Sequence, residues 1–576
     1  MKKLFLCMLL VLALWVVAAC ARDDETPEAP GVQVHEQPAQ QVPAEAPAPI
    51  EGRGPENINW DEHVVYTWWL MATVNDFYTS YNDNPVVNYL QYRFNVTFDF
   101  EQPVQGTEAD SLALMMGTGN FTDVIRLSQY PGSLTQLFYD GIIIDIAQWL
   151  DYMPNLSYML ETVPGFARAA KDDAGRILTL PTINDDTIHP WSGLMYRHDI
   201  LEIMTGGNVQ FPSGNDVPTT IADWEYMLPL FYDFFRAAGF ADFAPLIIPH
   251  NGFIFFGELM NSFGAHFSYY VRDDEVRMGI LEPAFFDYIS TMRYWFERGW
   301  IHADFASRTG DMFFMPNPPL VFGGAAGAWF GMLMHLGDRM SMPEFGMYFD
   351  VRPMPSPMSP GISHRDMMPR AENPFGLGVT CGVYSGNPDI GRFLYIMDLF
   401  YTPEGGKLRA IGLHADQIPP GYTLMDTMGM SEGAWWFENG RVMLHPNLHE
   451  MGGDIAREVV NGIRFPGIQG MSHVNLLRDE ETLHAHSMWG AQDAVSEIRP
   501  LPPQLSLTID ESTTVATNDA RINDFRDQMI AMFIMGTADL TEASWAEFLA
   551  QLREFGIEEN LAIHQAAFAR YLARGQ

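Results

Sequence analysis

The chain has 576 residues, and its 33 Lys and Arg against 72 Asp and Glu leave a formal net charge of −39 at pH 7. Binding to nucleic acid depends on cationic side chains neutralising phosphates, so this balance excludes a nucleic-acid partner and argues against adhesion to anionic lipid by charge alone. With 47% apolar residues and only three cysteines, the chain has the material for two or three lobes whose stability comes from core packing rather than disulfides.

Lys2 and Lys3 precede an uncharged apolar run, Leu4 to Ala19, that closes in small residues before Cys20. This is the pattern of a secretion signal. A membrane-spanning helix needs about 20 apolar residues, and Arg22-Asp23-Asp24-Glu25 follows here in place of a basic stop-transfer cluster. Val17-Ala18-Ala19-Cys20 resembles a lipobox, which implies removal of residues 1–19 and diacylation of Cys20. From Arg22 to about Pro55 the chain is rich in Pro, Ala, Glu and Gln and cannot bury a core, so residues 20–60 read as a lipidated N-terminus and disordered tether.

Ordered structure is expected from His63 to Trp69, a β-rich run. An amphipathic stretch through Leu90 follows, and then the alternating Val96-Thr97-Phe98-Asp99-Phe100. Ala109 to Met116 is helix-like, Gly117 to Asn120 is a turn, and Asp123-Val124-Ile125 is a buried strand, a pattern that Gly141 to Asp145 is expected to repeat. Strands alternating with helices predict an α/β sheet with parallel pairing. Met312 to Met334 carries no charge, but Pro316, Pro318 and Pro319 leave about 15 residues before His335, short of a bilayer crossing. Its glycines fit a buried strand, a turn and the start of a packed helix. The Pro- and Met-rich stretch Asp350 to Asn373 reads as a long loop or lobe crossover.

Gly429-Met430-Ser431-Glu432-Gly433 fits the G-x-S-x-G nucleophile elbow, with His445 and His449 downstream as candidate bases. The elbow needs a buried strand before the serine and a helix after it, and neither flank supplies one. His449-Glu450 lacks the second histidine of a zinc protease, and no Cys/His cluster has metal-ligand spacing. The sequence therefore predicts no catalytic residue, metal or cofactor.

Several segments, in this order, resemble extracellular solute-binding proteins of the group that includes maltodextrin and alginate-oligosaccharide binders. They are Ala109 to Ile125, Gly141 to Leu150, Asp173 to Pro181, Leu194 to Leu201, Val217 to Trp224, Tyr294 to Phe305, Ile396 to Gly405 and Thr541 to Tyr571. The resemblance implies a two-lobed, periplasmic-binding-protein-like α/β fold with the ligand in the cleft between the lobes. The first lobe is expected from residues 61–184 and 352–415, and the second from 185–351 and 416–576. It further implies a monomeric, lipid-anchored, extracytoplasmic protein that captures a carbohydrate, an oligosaccharide, by closure of the two lobes and hands it to ABC permease subunits. A secreted carbohydrate-active hydrolase and a peptide binder of the same fold are the alternatives.

Sugars present C–H faces to aromatic rings and hydroxyls to polar groups. Trp68 and Trp69 end the first strand, where ligands of doubly wound sheets sit, and alternation sends one toward the cleft and the other into the core. Asp123 matches the family's strand-associated acid, or serves as a turn cap. Trp191 falls at the first crossover between lobes, and Phe253 and Phe255 fall where maltodextrin binders supply aromatics. Gly327-Ala328-Trp329-Phe330 resembles the segment whose tryptophan stacks on sugar, which makes Trp329 the leading candidate, with Trp435, Trp436 and Trp489 behind it.

Overall fold

Strand β1 (Val64–Trp69) and strand β2 (Val96–Glu101) pair in parallel from Val64 opposite Val96 to Trp69 opposite Glu101. Between them runs α1 (Pro85–Phe94), and its limits follow from local chemistry. The Asn84 side chain accepts from the N–H groups of Val86 and Val87, Pro85 occupies the first helical position, and Asn95 ends the helix in the left-handed region at φ 50°. The computed structural model describes residues 58–70, 77, 80–104, 107–128, 130–187, 189–247, 258–307, 319–370, 375, 381–450 and 465–574.

Helix α2 (Glu108–Thr118) leads into β3 (Val124–Arg126), parallel to β1, so the expected β-α-β-α-β opening is present. Gly141 to Asp145 does not extend as a strand. Ile143 makes only an isolated bridge to Tyr384 before Asp145 caps a 3-10 turn. Helices α3 (Leu134–Tyr139), α4 (Pro154–Thr162) and α5 (Phe166–Ala170) and strand β4 (Thr182–Asn184) complete this part of the chain.

The second sheet is built from β5 (Ser192–Arg197), β6 (Ala244–Ile247), β9 (Ala326–Met332) and β10 (Val351–Pro353), in the order β10-β5-β9-β6. Hairpin β7 (Tyr269–Arg272) and β8 (Glu275–Met278) stands apart from it. Helix α6 (His198–Thr205) follows β5, and α7 (Ile221–Ala237) and α8 (Pro283–Glu297) are buried through Trp224 and Trp295, whose rings stack at 5.8 Å and 13°. Each such indole adds roughly 2–3 kcal/mol of burial plus about 1 for the pair. The start of α7 is fixed by Asp223, wholly buried, which accepts from the N–H groups of Ser213, Thr219 and Thr220 at 2.8–2.9 Å. Burial alone would raise its pKa, but the bonds from Ser213, Thr219 and Thr220 hold it below the usual carboxylate value. Asp223→Ala orphans three donors and is expected to cost about 2 kcal/mol in a urea unfolding curve.

The chain then returns to the first sheet as β11 (Cys381–Val383), antiparallel to β3, giving the order β11-β3-β1-β2. Helices α9 (Ile390–Asp398) and α10 (Pro403–Ile411) cover this sheet, the hairpin β12 (Trp435–Glu438) and β13 (Arg441–Leu444) follows, and β14 (Gly467–Gln469) pairs in parallel with β4. Both main sheets are mixed rather than wholly parallel. Within α9, Arg392 is buried. Its guanidinium donates to the carbonyls of Asn59, Glu62, Phe94 and Asn95, the last two at the negative end of α1.

After α11 (Met471–Val474), the chain ends in α12 (Glu480–Trp489), β15 (Arg499–Pro500), α13 (Ile509–Met535), α14 (Glu542–Glu554) and α15 (Ile557–Ala573). The buried side chains separate into two main cores. One gathers Trp68, Phe98, Val124, Phe393, Leu408 and Phe465, and the other Leu194, Trp224, Tyr288, Met354, Phe533 and Leu552. The fold is therefore α/β and two-lobed, but the expected boundaries need correcting. Residues from about 416 to 474 pack on α10 and β4 with the first lobe, through Met425, Leu444 and Met471. Residues 352–354 extend the second sheet through β10 and Met354. Among the described residues no helix is long and apolar enough to cross a membrane.

Candidate ligand site between the lobes

Among the described residues, 185–187 with 189–191, 355–370 and 475–479 lie between segments of the two cores. The first and third are tied together. Asp185 accepts from the backbone N–H and hydroxyl of Ser472 at 3.1 and 2.6 Å, and Asp186 accepts from the Asn475 amide at 3.2 Å. Above them the imidazoles of His189 and His486 stack at 4.9 Å and 14°. Trp191 follows, 37% exposed, at the edge of the second sheet where β5 begins. Ser192 pairs with Met332, so the start of β5 and the carboxyl end of β9 share that edge.

A second place where residues of both lobes meet is a cavity of about 310 Å³. Its walls are Gly132–Thr135, Ala169–Asp172, Arg176, Leu178 and Thr179 from the first lobe, and Pro503–Leu507 with Ser512 from the second. One margin is braced by Arg574. It bonds Asp173 Oδ1 through Nε and Nη2 at 2.8 and 2.7 Å, and donates from Nη1 to the carbonyls of Lys171 and Gln504 at 2.7 and 3.0 Å. Arg570 joins Asp173 to Glu511, whose carboxyl burial would raise but the Arg570 and Thr508 hydrogen bonds hold low. Sequence reasoning missed this cavity, because its walls come from three stretches that carry no common motif.

Most residues singled out from the sequence lie elsewhere. Trp68 is wholly buried against Phe98, Phe100, Phe393 and Phe465, and Trp69 is buried on the opposite face with its Nε1 donating to Ser111. Neither faces a cleft, a correction with a simple cause: the sheet is covered on both sides. Asp123 accepts from the Thr67 N–H and hydroxyl at 2.8 and 2.9 Å, which makes it a strut between β3 and β1. Trp329 is 2% exposed and donates to His335 Nδ1 at 3.2 Å in a core with Met195 and Leu320. Trp489 donates to the Leu194 carbonyl, and Trp435 to that of Gly412, and both are buried. Trp191 and Trp436, each 37% exposed, are the candidates that present a substantial surface among the described residues. Phe253, Phe255 and Cys20 lie outside the described residues.

Ser431 sits in a turn after a one-turn helix, Leu424–Thr427, and ahead of β12, so no strand-to-helix elbow presents its hydroxyl. Among the described residues no three His, Cys, Asp or Glu side chains are grouped to hold a metal ion.

The fold recurs in solved structures. An alginate-binding protein, solved without calcium ion, superposes with a TM-score of 0.65 over 88% of this chain and 98% of its own, at 17% identity. The fold is that of a solute-binding protein. An HMO-binding, ABC-transporter-associated solute-binding protein from Bifidobacterium longum infantis gives 0.67 over 89% and 99% at 16% identity. An S. pneumoniae ABC-transporter substrate-binding protein in complex with kestose gives 0.62 over 88% and 99%, also at 16% identity. No protein-family model matches the chain, and no curated protein matches it in sequence.

Proposed function

We propose that the protein is the substrate-binding component of an ABC importer, that it captures a carbohydrate by closure of its two lobes, and that it is not an enzyme. The observation that carries this reading is the fold match, which spans nearly all of this chain and nearly all of proteins described as binding alginate, HMO or kestose. Cys20 would hold the mature, monomeric protein by its lipid to the outer face of the cytoplasmic membrane, beside the permease subunits. Trp191, at the first crossover, supplies a ring on which a sugar C–H face would stack when the lobes close.

The unit Ala46–Gln576, compact by itself, is the form to assay. Titration calorimetry with kestose, maltotriose and an alginate trisaccharide should give a saturable heat with at least one. Trp191→Ala should weaken that binding about tenfold, the equivalent of losing about 1.4 kcal/mol of stacking. Hydrolysis of the saccharide during the titration would favour the hydrolase alternative. Heats with peptides alone would favour the peptide binder.

A further inference from the structure

Lysine is scarce in this chain. Apart from Lys2 and Lys3 of the expected signal, only Lys171 and Lys407 stand against 72 acidic residues. Lys407 carries its ammonium over the rings of Trp435 and Phe437. Lys171 instead lines the cavity between the lobes, and among the described residues no carboxylate lies within ion-pair distance of it. The acids on the same segments are already paired. Asp172 bonds Arg176 at 2.7 Å and accepts from the N–H groups of Ala174 and Arg176, Asp173 binds Arg570 and Arg574, and Glu511 binds Arg570. Arg176, the other cation in the lining, therefore has its charge met by Asp172, and it lies over the rings of Phe138 and Tyr139. The cavity is left with one positive charge that the protein does not neutralise.

The rest of the lining is neutral and rich in hydroxyls. Ser133, Thr135, Thr179 and Ser512 contribute to it, and none of their side-chain oxygens bonds another described residue or is sealed inside the protein. Leu134 and Leu178 add apolar surface beside them. A bare inorganic anion would answer the ammonium and leave both the hydroxyls and the leucines without a complement. A sugar ring offers O–H groups at its rim and C–H groups on its faces, and a uronate adds a carboxylate for the lysine. A volume of about 310 Å³ is at the lower end of the range for small-molecule sites, roughly 300–1,000 Å³, and suits one or two rings rather than a longer chain.

We propose that this cavity is a subsite for an acidic saccharide, taking one or two uronate rings with a carboxylate on the Lys171 ammonium. The proposal rests on the carbohydrate-binding reading above and names the class of sugar. It also gives the braced margin a use. Arg574 holds Lys171 and Gln504 by their carbonyls and bonds the Ser506 hydroxyl at 2.8 Å, so segments of both lobes are in place before a ligand arrives. Because Lys171 is gripped through its backbone, its side chain is left for the ligand.

Titration of Ala46–Gln576 with the alginate trisaccharide, whose rings are uronates, with the neutral maltotriose and kestose, and with inorganic phosphate tests it. The acidic trisaccharide should bind the parent chain, and less tightly as sodium chloride is raised. Lys171→Met should weaken that binding about tenfold, the equivalent of about 1.4 kcal/mol, and Lys171→Arg should restore most of it. Any heat with the neutral saccharides should be the same in all three chains. The backbone bond to Arg574 survives either change, so the melting temperature should stay that of the parent. Should Lys171→Met fail to fold, Thr135→Tyr, which fills the cavity and keeps the charge, decides in its place by the same loss. Parent-like affinity of the folded variants for the acidic trisaccharide would overturn the subsite. So would binding of the neutral saccharides alone, or phosphate binding as tightly as the trisaccharide, the mark of a plain anion trap. Each of those results leaves the carbohydrate reading standing. If none of the three saccharides binds the parent chain, both fall.

Discussion

Replacing Trp329 by alanine is expected to lower the free energy of unfolding by about 3–5 kcal/mol, as for other large-to-small changes in a close-packed core. The indole is 2% exposed on β9, among Met195, Ile247, Leu320 and Leu336. Its Nε1 donates to His335 Nδ1, which also accepts from the Met332 N–H at 3.3 Å. Gly331 makes room for that contact, since a Cβ there would come within 2.5 Å of the indole nitrogen and 2.6 Å of the imidazole. Trp329→Phe should cost less than alanine, because it restores most of the volume and loses the hydrogen bond. Urea unfolding of both variants, paired with saccharide titration, separates this role from the one that sequence resemblance implies. A Trp329→Ala chain that unfolds like its parent yet loses saccharide binding would show that the ring belongs to the ligand site.

That contrast shows what the sequence could and could not carry. The β-α-β opening was legible because its signals are local: alternation in Val96 to Phe100, the amphipathic stretch through Leu90, the small-residue turn before Val124. The side of the sheet to which Trp68 and Trp69 belong was not legible. In a sheet covered on both faces, alternation chooses between two cores rather than between core and cleft, and here Trp68 joins the Phe98 cluster while Trp69 meets Leu112 and Met115 of α2. The lobe boundary near residue 415 failed for a related reason. Gly467 to Gln469 read as first-lobe structure only through pairing with Thr182 to Asn184, far away in sequence. Gly141 to Asp145 has the apolar run of a strand but finds only Tyr384 to bridge.

Acid should weaken the fold well above the pH at which ordinary carboxylates titrate, and the buried histidines are the cause. Burial pushes His266 and His335 down to about 4 and His486 down to about 3. The geometry agrees. His335 Nδ1 already accepts two N–H donors, so a proton there would break both bonds. His266 packs on the Tyr270 ring at 4.5 Å, with Arg272 opposing a second positive charge and Asp366 partly offsetting it. His486 has no hydrogen-bond partner at either nitrogen and faces His189 and Arg478, with Asp479 the nearest offset. In the unfolded chain these imidazoles titrate near 6.5, so below that pH the unfolded state binds more protons. The stability they contribute is complete above about 6.5 and is lost progressively toward pH 4 and then 3, at about 1.4 kcal/mol per pH unit for each proton. Asp398 works in the opposite direction. Burial pushes its carboxyl up to about 6, against the pull of the Asn155 and Leu156 N–H groups, so it gains a proton earlier in the folded state and offsets part of the loss. The balance is a loss on the order of 5 kcal/mol between pH 7.5 and 4.5, readable as a falling urea midpoint. His486→Phe keeps an aromatic ring against His189 and removes one of the three proton acceptors. It should therefore reduce the net pH-dependent loss by about half, through the same linkage. An unchanged pH profile in that variant would mean that His486 binds no fewer protons folded than unfolded.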